Sequence, residues 1–182
     1  ASVRKIFKQK DMIKYEIQEK DGYLTMADLP HNCIFNKVRT GCGGTTIALT
    51  NDENYVIAVP TTELIINKLN STENLFGLYG NFTLALKNDL LSYTKQSEIK
   101  KIMCTYDKIP TLLEHVNGKD FCLLVDEYHN LLKQYMFRKR AINGVLDNFR
   151  KFKSFCFMSA TSIDPELKPE VLKDVPEYYA DW

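Results

Sequence analysis

Six short runs of apolar residues are spaced along the chain, and within each run apolar residues follow one another rather than alternate with polar ones. The runs occupy residues 32–38 (NCIFNKV), 55–59 (YVIAV), 75–79 (LFGLY), 101–106 (KIMCTY), 121–125 (FCLLV) and 155–160 (FCFMSA). Continuous runs of this length are typical of strands that are buried on both faces, as in a parallel sheet.

Longer segments with a helical pattern separate these runs. Apolar residues recur every three or four positions in residues 61–70, 83–96, 109–116 and 130–152. Strands that alternate with helices predict βαβ units, and therefore an α/β fold with a mostly parallel sheet. Right-handed crossovers would place every strand-to-helix turn at the carboxyl edge of this sheet, where such folds bind ligands.

The start of the chain does not share this pattern, because it is charged and poorly periodic. We therefore expect residues 1–31 to form an N-terminal extension and residues 32–182 to form one domain. The chain begins with Ala1 rather than methionine, which we interpret as the sign of a fragment of a longer protein.

Composition restricts the possible partners. The 182 residues are 45% hydrophobic and 26% charged with a net charge of +1, so any nucleic-acid contact must come from a local patch. No apolar run approaches the length of about 18–20 residues that a membrane span needs, so we expect no membrane partner. The five cysteines are dispersed without a CxxC pair, which favours reduced thiols of a cytoplasmic protein over a zinc site.

One local patch is basic. We interpret it as the solvated face of a helix rather than a nucleic-acid site, and it comprises Lys133, Arg138, Lys139, Arg140, Arg150, Lys151 and Lys153.

A glycine-rich loop follows the first apolar run. It consists of Arg39, Thr40, Gly41, Cys42, Gly43, Gly44, Thr45 and Thr46. Glycines let backbone N–H groups turn inward around an anion, and a P-loop adds a lysine after the last glycine and then a Ser or Thr that reaches Mg²⁺. Thr45 occupies the metal position, but Gly44 stands where the lysine belongs. A purely structural glycine-rich turn is an equally good interpretation of this loop.

Two adjacent carboxylates, Asp126 and Glu127, end the apolar run at 121–125 and are followed by His129. Acidic groups at the end of a buried strand need a metal ion or hydrogen bonds to compensate their charge. Asp126 is suited to hold Mg²⁺ through water, and Glu127 to orient or deprotonate an attacking water. The alternative is an acid-rich helix start with His129 on the surface.

Two further turns carry small hydroxyl residues. Pro60, Thr61, Thr62 and Glu63 follow the second run, where helix capping by a threonine is the simpler interpretation. Ser159, Ala160 and Thr161 follow the last run, where they either cap a helix or hydrogen-bond to the acidic pair.

Taken in order, these segments resemble the first RecA-like domain of a superfamily 2 helicase or translocase of the DExH type. Residues 40–45 match motif I (TGxGKT) except at the lysine, and residues 60–64 match motif Ia (PTxEL). Residues 126–129 match motif II and residues 159–161 match motif III (SAT). Residues 104–109 (CTYDKI), which include Thr105, resemble the turn that touches the nucleic-acid backbone. Because the lysine is missing, the chain most resembles the divergent helicases found in phages or mobile elements.

The resemblance implies a P-loop NTPase fold with three αβα layers, in which the strand at 155–160 lies between those at 32–38 and 121–125. It implies that residues 39–46 surround the phosphates of ATP, with Mg²⁺ held by Thr45 and Asp126. It also implies that Glu127 is the catalytic base and that His129 couples the nucleotide to DNA or RNA. The residues that would contact or couple to nucleic acid are Pro60, Thr61, Glu63, Thr105, Ser159, Ala160 and Thr161.

A second RecA-like lobe with an arginine finger is a further implication, and it would belong to the full-length protein. Three hypotheses remain, and one of them is a different α/β domain in which these motifs occur by chance. The retained acidic pair favours a motor domain that hydrolyses ATP with its second lobe, whereas Gly44 favours a degenerate lobe that binds nucleic acid or protein without hydrolysis. Arg39, five residues before Gly44, is a candidate to replace the lysine.

Overall fold

The computed structural model describes residues 12–135 and 139–182. The strands in this part of the chain are β1 (Ile13–Glu16), β2 (Glu19–Lys20), β3 (Tyr23–Leu24), β4 (Cys33–Asn36), β5 (Tyr55–Val59), β6 (Phe76–Leu78), β7 (Lys101–Thr105), β8 (Cys122–Val125), β9 (Ser154–Ser159) and β10 (Glu177–Asp181). The α-helices are α1 (Gly44–Thr50), α2 (Thr62–Ser71), α3 (Leu84–Gln96), α4 (Ile109–Leu113), α5 (Tyr128–Tyr135) and α6 (Lys139–Leu146).

Eight of these strands form one sheet in the order β1-β10-β4-β9-β8-β5-β7-β6, and β2 pairs with β3 in a separate hairpin. Every neighbouring pair in the large sheet is parallel. The predicted α/β fold with a parallel sheet is therefore confirmed. The predicted strand order is confirmed as well, because β9 lies between β4 and β8.

Apolar side chains cover both faces of the sheet, and β5 illustrates why its apolar run is continuous. Val56 and Ala58 belong to one hydrophobic core, while Ile57 and Val59 belong to a second core on the opposite face. Successive residues of a strand point to opposite faces, so a strand with a core on each side needs an apolar residue at every position.

Two strands of the sheet, β1 and β10, were not predicted from the sequence. β10 pairs with β4 and also with β1, which forms the edge of the sheet. Both strands are largely exposed or half-buried, so their sequences lack the continuous apolar pattern of the central strands. Backbone pairing rather than burial identifies them.

The segment predicted to precede the domain contributes β1 and the β2–β3 hairpin, and its Leu24 and Leu29 are buried in the core. Residues 1–11 of this segment lie outside the described residues. The boundary at residue 32 stays a prediction.

Candidate functional site

Five strand ends meet along one edge of the sheet. Because all strands are parallel, the carboxyl ends of β4, β9, β8, β5 and β7 follow one another in that order. The glycine-rich loop follows β4, Ser159 ends β9, Asp126 follows β8, Pro60 follows β5 and Thr105 ends β7. The fold thus places segments that are far apart in sequence side by side.

The glycine-rich loop contains two residues whose backbone requires glycine. Gly41 and Gly43 have φ angles of 62° and 85°, in the left-handed region that side-chain-bearing residues rarely adopt. Val38, at the start of the loop, also has a left-handed φ of 69°, which is strained for a β-branched residue. Its amide donates to Asn36 Oδ1 at 2.9 Å, which helps to hold this conformation.

Thr45 and Asp126 are in direct contact. The Thr45 hydroxyl donates to Asp126 Oδ2 at 2.7 Å, and Asp126 Oδ1 accepts a hydrogen bond from the Glu127 amide at 2.9 Å. Carboxylate and hydroxyl oxygens are ligands that suit Mg²⁺. Asp126 is only 8% exposed, so a cation beside these two oxygens would compensate a largely buried carboxylate.

His129 links the acidic pair to the end of β9. Its Nε2 lies 3.3 Å from Glu127 Oε2, and its Nδ1 lies 2.8 Å from Ser159 Oγ. Ser159 Oγ in turn accepts a hydrogen bond from the Thr161 amide at 3.0 Å. Ser159 therefore contacts His129, which in turn contacts Glu127 of the acidic pair. A continuous chain of polar contacts runs from Glu127 to Thr161.

Tyr106 supports the turn that carries the acidic pair, and the sequence did not single it out. Its buried hydroxyl donates to the carbonyl oxygens of Asp126 and Glu127. Burial raises the pKa of Tyr106, so the hydroxyl stays protonated and remains a donor. Glu127 has a left-handed φ of 55°, and hydrogen bonds from Tyr106 stabilise this uncommon backbone.

The two segments predicted to touch nucleic acid lie next to each other. Val59 and Thr105 are Cα partners in the β5–β7 pair, which brings the turn at Pro60 beside Thr105. Thr61 is the N-cap of α2, and its side chain accepts a hydrogen bond from the Leu64 amide. Thr61 therefore has the capping role that the sequence suggested, and its contact with nucleic acid stays a prediction, as does that of exposed Glu63.

A cavity of about 1070 Å³ opens beside the glycine-rich loop, between the loop and the β2–β3 hairpin. The amide of Leu24 donates to the carbonyl of Cys42 at 2.8 Å and ties the hairpin to the loop. Tyr23, which is 59% exposed, lines the cavity next to Gly43. The sequence did not predict that the hairpin lines the cavity, because the hairpin belongs to the charged, poorly periodic start of the chain.

The remaining loop residues occupy different environments. Thr40 and Thr46 are exposed, whereas the side chain of Cys42 is buried. The guanidinium of Arg39 lies 4.4 Å from the ring centroid of Trp182. Lys37, which sequence reasoning did not consider, lines the cavity together with Gly41 and residues 43–46.

The sequence also led to expectations about the cysteines, the basic patch and membrane spans, which lie outside this site. All five cysteines are free and buried. Of the basic patch, Arg138 lies outside the described residues. No helix within residues 12–135 and 139–182 is both long and apolar enough to cross a membrane.

Comparison with known proteins agrees with this fold. Two similar solved structures are the Hef helicase domain of Pyrococcus furiosus (TM-score 0.57, 20% identity) and a hypothetical ATP-dependent RNA helicase from Sulfolobus tokodaii (TM-score 0.56, 19% identity). The matches cover 82% and 83% of this chain but only 35% and 48% of those chains, so this chain spans less than half of either. At this identity they show the fold, which is that of a RecA-like helicase domain.

No curated protein sequence matches the chain closely enough to count as a relative. The family of DEAD/DEAH box helicases matches residues 18–168, which include the glycine-rich loop, the acidic pair and Ser159. The chain therefore belongs to the DEAD/DEAH box helicase family.

Proposed function

We propose that this domain binds ATP with Mg²⁺ in the cavity beside the glycine-rich loop. We also propose that, with a second RecA-like lobe, it hydrolyses ATP and acts on DNA or RNA as a helicase or translocase. The observation that carries the proposal is the 2.7 Å contact between Thr45 Oγ1 and Asp126 Oδ2, which joins the loop to the acidic pair.

The chain's own residues divide the work of binding and hydrolysis. The backbone amides of residues 41–46 would surround the phosphates, and Thr45 and Asp126 would hold Mg²⁺, which supplies positive charge to neutralise them. Glu127 accepts a proton from the attacking water, since its carboxylate is partly exposed and oriented by His129 at 3.3 Å. An arginine finger from the second lobe would complete the site, so we expect little turnover by the isolated domain.

The polar chain from Glu127 through His129 and Ser159 to Thr161 supports a coupling role for these residues. It begins at the proposed base and ends beside Ala160, at the same sheet edge as Pro60 and Thr105. Pro60, Thr61, Glu63 and Thr105 would contact the nucleic-acid backbone, which fixes position without reading sequence.

The second candidate function is a degenerate helicase lobe that binds nucleic acid or protein without hydrolysis. Gly44 favours it, because the ammonium that usually contacts the phosphates is missing from this position. The two functions differ in whether a protein that also contains the second lobe hydrolyses ATP.

Calorimetric titration of the chain with ATP, with and without Mg²⁺, tests the proposal. We expect binding that Mg²⁺ strengthens, and we expect Asp126→Asn to remove this Mg²⁺ dependence because the amide is a poorer metal ligand. Asp89→Asn, at an exposed position of α3, is the matched control. Failure of the wild-type chain to bind ATP would exclude the proposal, whereas binding without hydrolysis by the two-lobed protein would support the degenerate lobe.

A further inference from the structure

Side-chain packing explains why glycine, rather than lysine, stands at position 44. Gly44 is the first residue of α1 and has no left-handed φ, so its backbone does not require glycine. A Cβ atom at Gly44 would lie 2.7 Å from Sδ and 2.9 Å from Cε of Met158. Met158, on β9, therefore fills the space through which a side chain at position 44 would leave the helix.

Lys37 reaches the same space from the end of β4. Its Cδ atom would lie 3.8 Å from that Cβ of Gly44, which is ordinary van der Waals contact. Lys37 is only 8% exposed, and it lines the cavity together with the glycine-rich loop. The aliphatic part of Lys37 thus passes over Gly44, at the root of the side chain that a P-loop lysine would have.

The backbone of Lys37 is fixed on both sides. Its amide donates to the carbonyl of Ser159 at 2.9 Å, and its carbonyl accepts hydrogen bonds from Trp182 Nε1 and from the Arg39 amide, both at 2.8 Å. The left-handed turn at Val38 follows immediately. These contacts hold the backbone of Lys37 at the mouth of the loop, within side-chain reach of the cavity.

In the described part of the chain, the ammonium of Lys37 makes neither a hydrogen bond nor an ion pair, and its Nζ is accessible to solvent at the cavity. An anionic ligand in this cavity would therefore meet a cation that is available for pairing. Arg39 differs, because its guanidinium already lies over the ring of Trp182.

We propose that Lys37 contacts the nucleotide phosphates in place of the lysine that is missing at position 44. This inference rests on the proposed function, because it assigns a residue to the same nucleotide site. In this arrangement, Gly44 leaves room for Met158 and for the stem of Lys37. The positive charge is then supplied by the residue that follows β4 rather than by the first residue of α1.

The test measures Mg-ATP affinity by calorimetry for the wild-type chain and for Lys37→Met, which keeps the aliphatic stem and removes the charge. We expect a loss of about ten- to a hundredfold in affinity, the effect of deleting charge-assisted hydrogen bonds to phosphate. The melting temperature without nucleotide should be close to that of wild type in Lys37→Met, because the ammonium has no bonded partner in the described residues and methionine keeps the packed part of the stem. A merely structural lysine would lower it.

Two variants with the same change of charge complete the comparison. Lys87→Met, on α3 at the far side of the sheet, should leave the affinity within about twofold of wild type, since distant charges are screened. Arg39→Met tests the rival cation in the same loop and should weaken binding much less than Lys37→Met.

The outcomes separate the two proposals. No binding of Mg-ATP by the wild-type chain would exclude the proposed function itself. Binding by the wild-type chain that Lys37→Met leaves unchanged, or that only Arg39→Met weakens, would overturn the assignment of Lys37 and leave the proposed function standing.

Discussion

Among single residues, Glu127 combines a left-handed backbone with a carboxylate that contacts His129. In the protein with both lobes, we expect Glu127→Gln to lower the ATPase rate by about 10²–10⁴-fold, because the amide keeps the shape but cannot accept the proton. The affinity for ATP should stay the same. Glu114→Gln, at an exposed position after α4, is the control, and equal ATPase rates in wild type and Glu127→Gln would show that another group is the base.

His31 and Asp28 form a pH-sensitive pair beside the cavity, with Nε2 and Oδ2 2.7 Å apart. The hydrogen bond to Asp28 raises the pKa of His31 above 6.5. Burial works to raise the pKa of Asp28, but hydrogen bonds from His31, Tyr55 and the Leu29 amide outweigh it and lower this pKa below 3.8. Asp28 is therefore ionised throughout the neutral range.

A histidine whose folded pKa is raised contributes stability below its unfolded pKa, and this contribution is lost as the pH rises through the folded value. The free energy of unfolding of wild type should therefore exceed that of His31→Gln by more at pH 5.5 than at pH 8.5. Urea titrations at both values measure this difference. Asp28→Asn should remove the same pH dependence, and a difference that does not change with pH would contradict the assignment.

At the scale of elements, the turn between β8 and α5 depends on a side chain from the segment after β7. Tyr106 donates to two carbonyls of this turn. We expect Tyr106→Phe to lower the free energy of unfolding by about 1–3 kcal/mol, because the buried carbonyl of Asp126 loses its donor. Denaturant unfolding followed by fluorescence measures the change.

Tyr128 provides the matched control for Tyr106. It is 1% exposed and packs against Phe157, and in the part of the chain that the structure describes its hydroxyl has no hydrogen-bond partner. Tyr128→Phe should be neutral or slightly stabilising, since it removes a buried polar group without a partner. A loss of stability as large as that of Tyr106→Phe would mean that the hydroxyl contacts of Tyr106 do not explain its effect.

At the scale of the whole molecule, β10 joins opposite ends of the described chain. It pairs with both β4 and β1, and within residues 12–135 and 139–182 β1 has no other neighbour in the sheet. A proline at Tyr179 would interrupt this pairing, since proline cannot donate to the ladder. In Tyr179→Pro we expect the amides of β1 to lose protection from hydrogen exchange, while those of β8 at the centre of the sheet keep it. Persistent protection of β1 would show that other contacts hold it.

The sequence by itself determined the architecture of the core. Strands buried on both faces need apolar residues at every position, so β4, β5, β7, β8 and β9 are readable as continuous runs. Parallel strands then place all their carboxyl ends at one edge. These two constraints place Thr45 and Asp126 at the same edge of the sheet, whereas the expectation that the two residues meet came from the resemblance to helicases, which implies the strand order.

Only the tertiary structure decided which side chains meet. Met158 from β9 and Lys37 from the end of β4 both pack against Gly44, and Tyr106 reaches the turn at Asp126 from the segment after β7. Such contacts depend on the strand order and on side-chain packing between residues that are distant in sequence. A local pattern of apolar and polar residues does not carry that information. The strands β1 and β10 were not predicted for a related reason, because backbone pairing holds them and leaves little trace in their side chains.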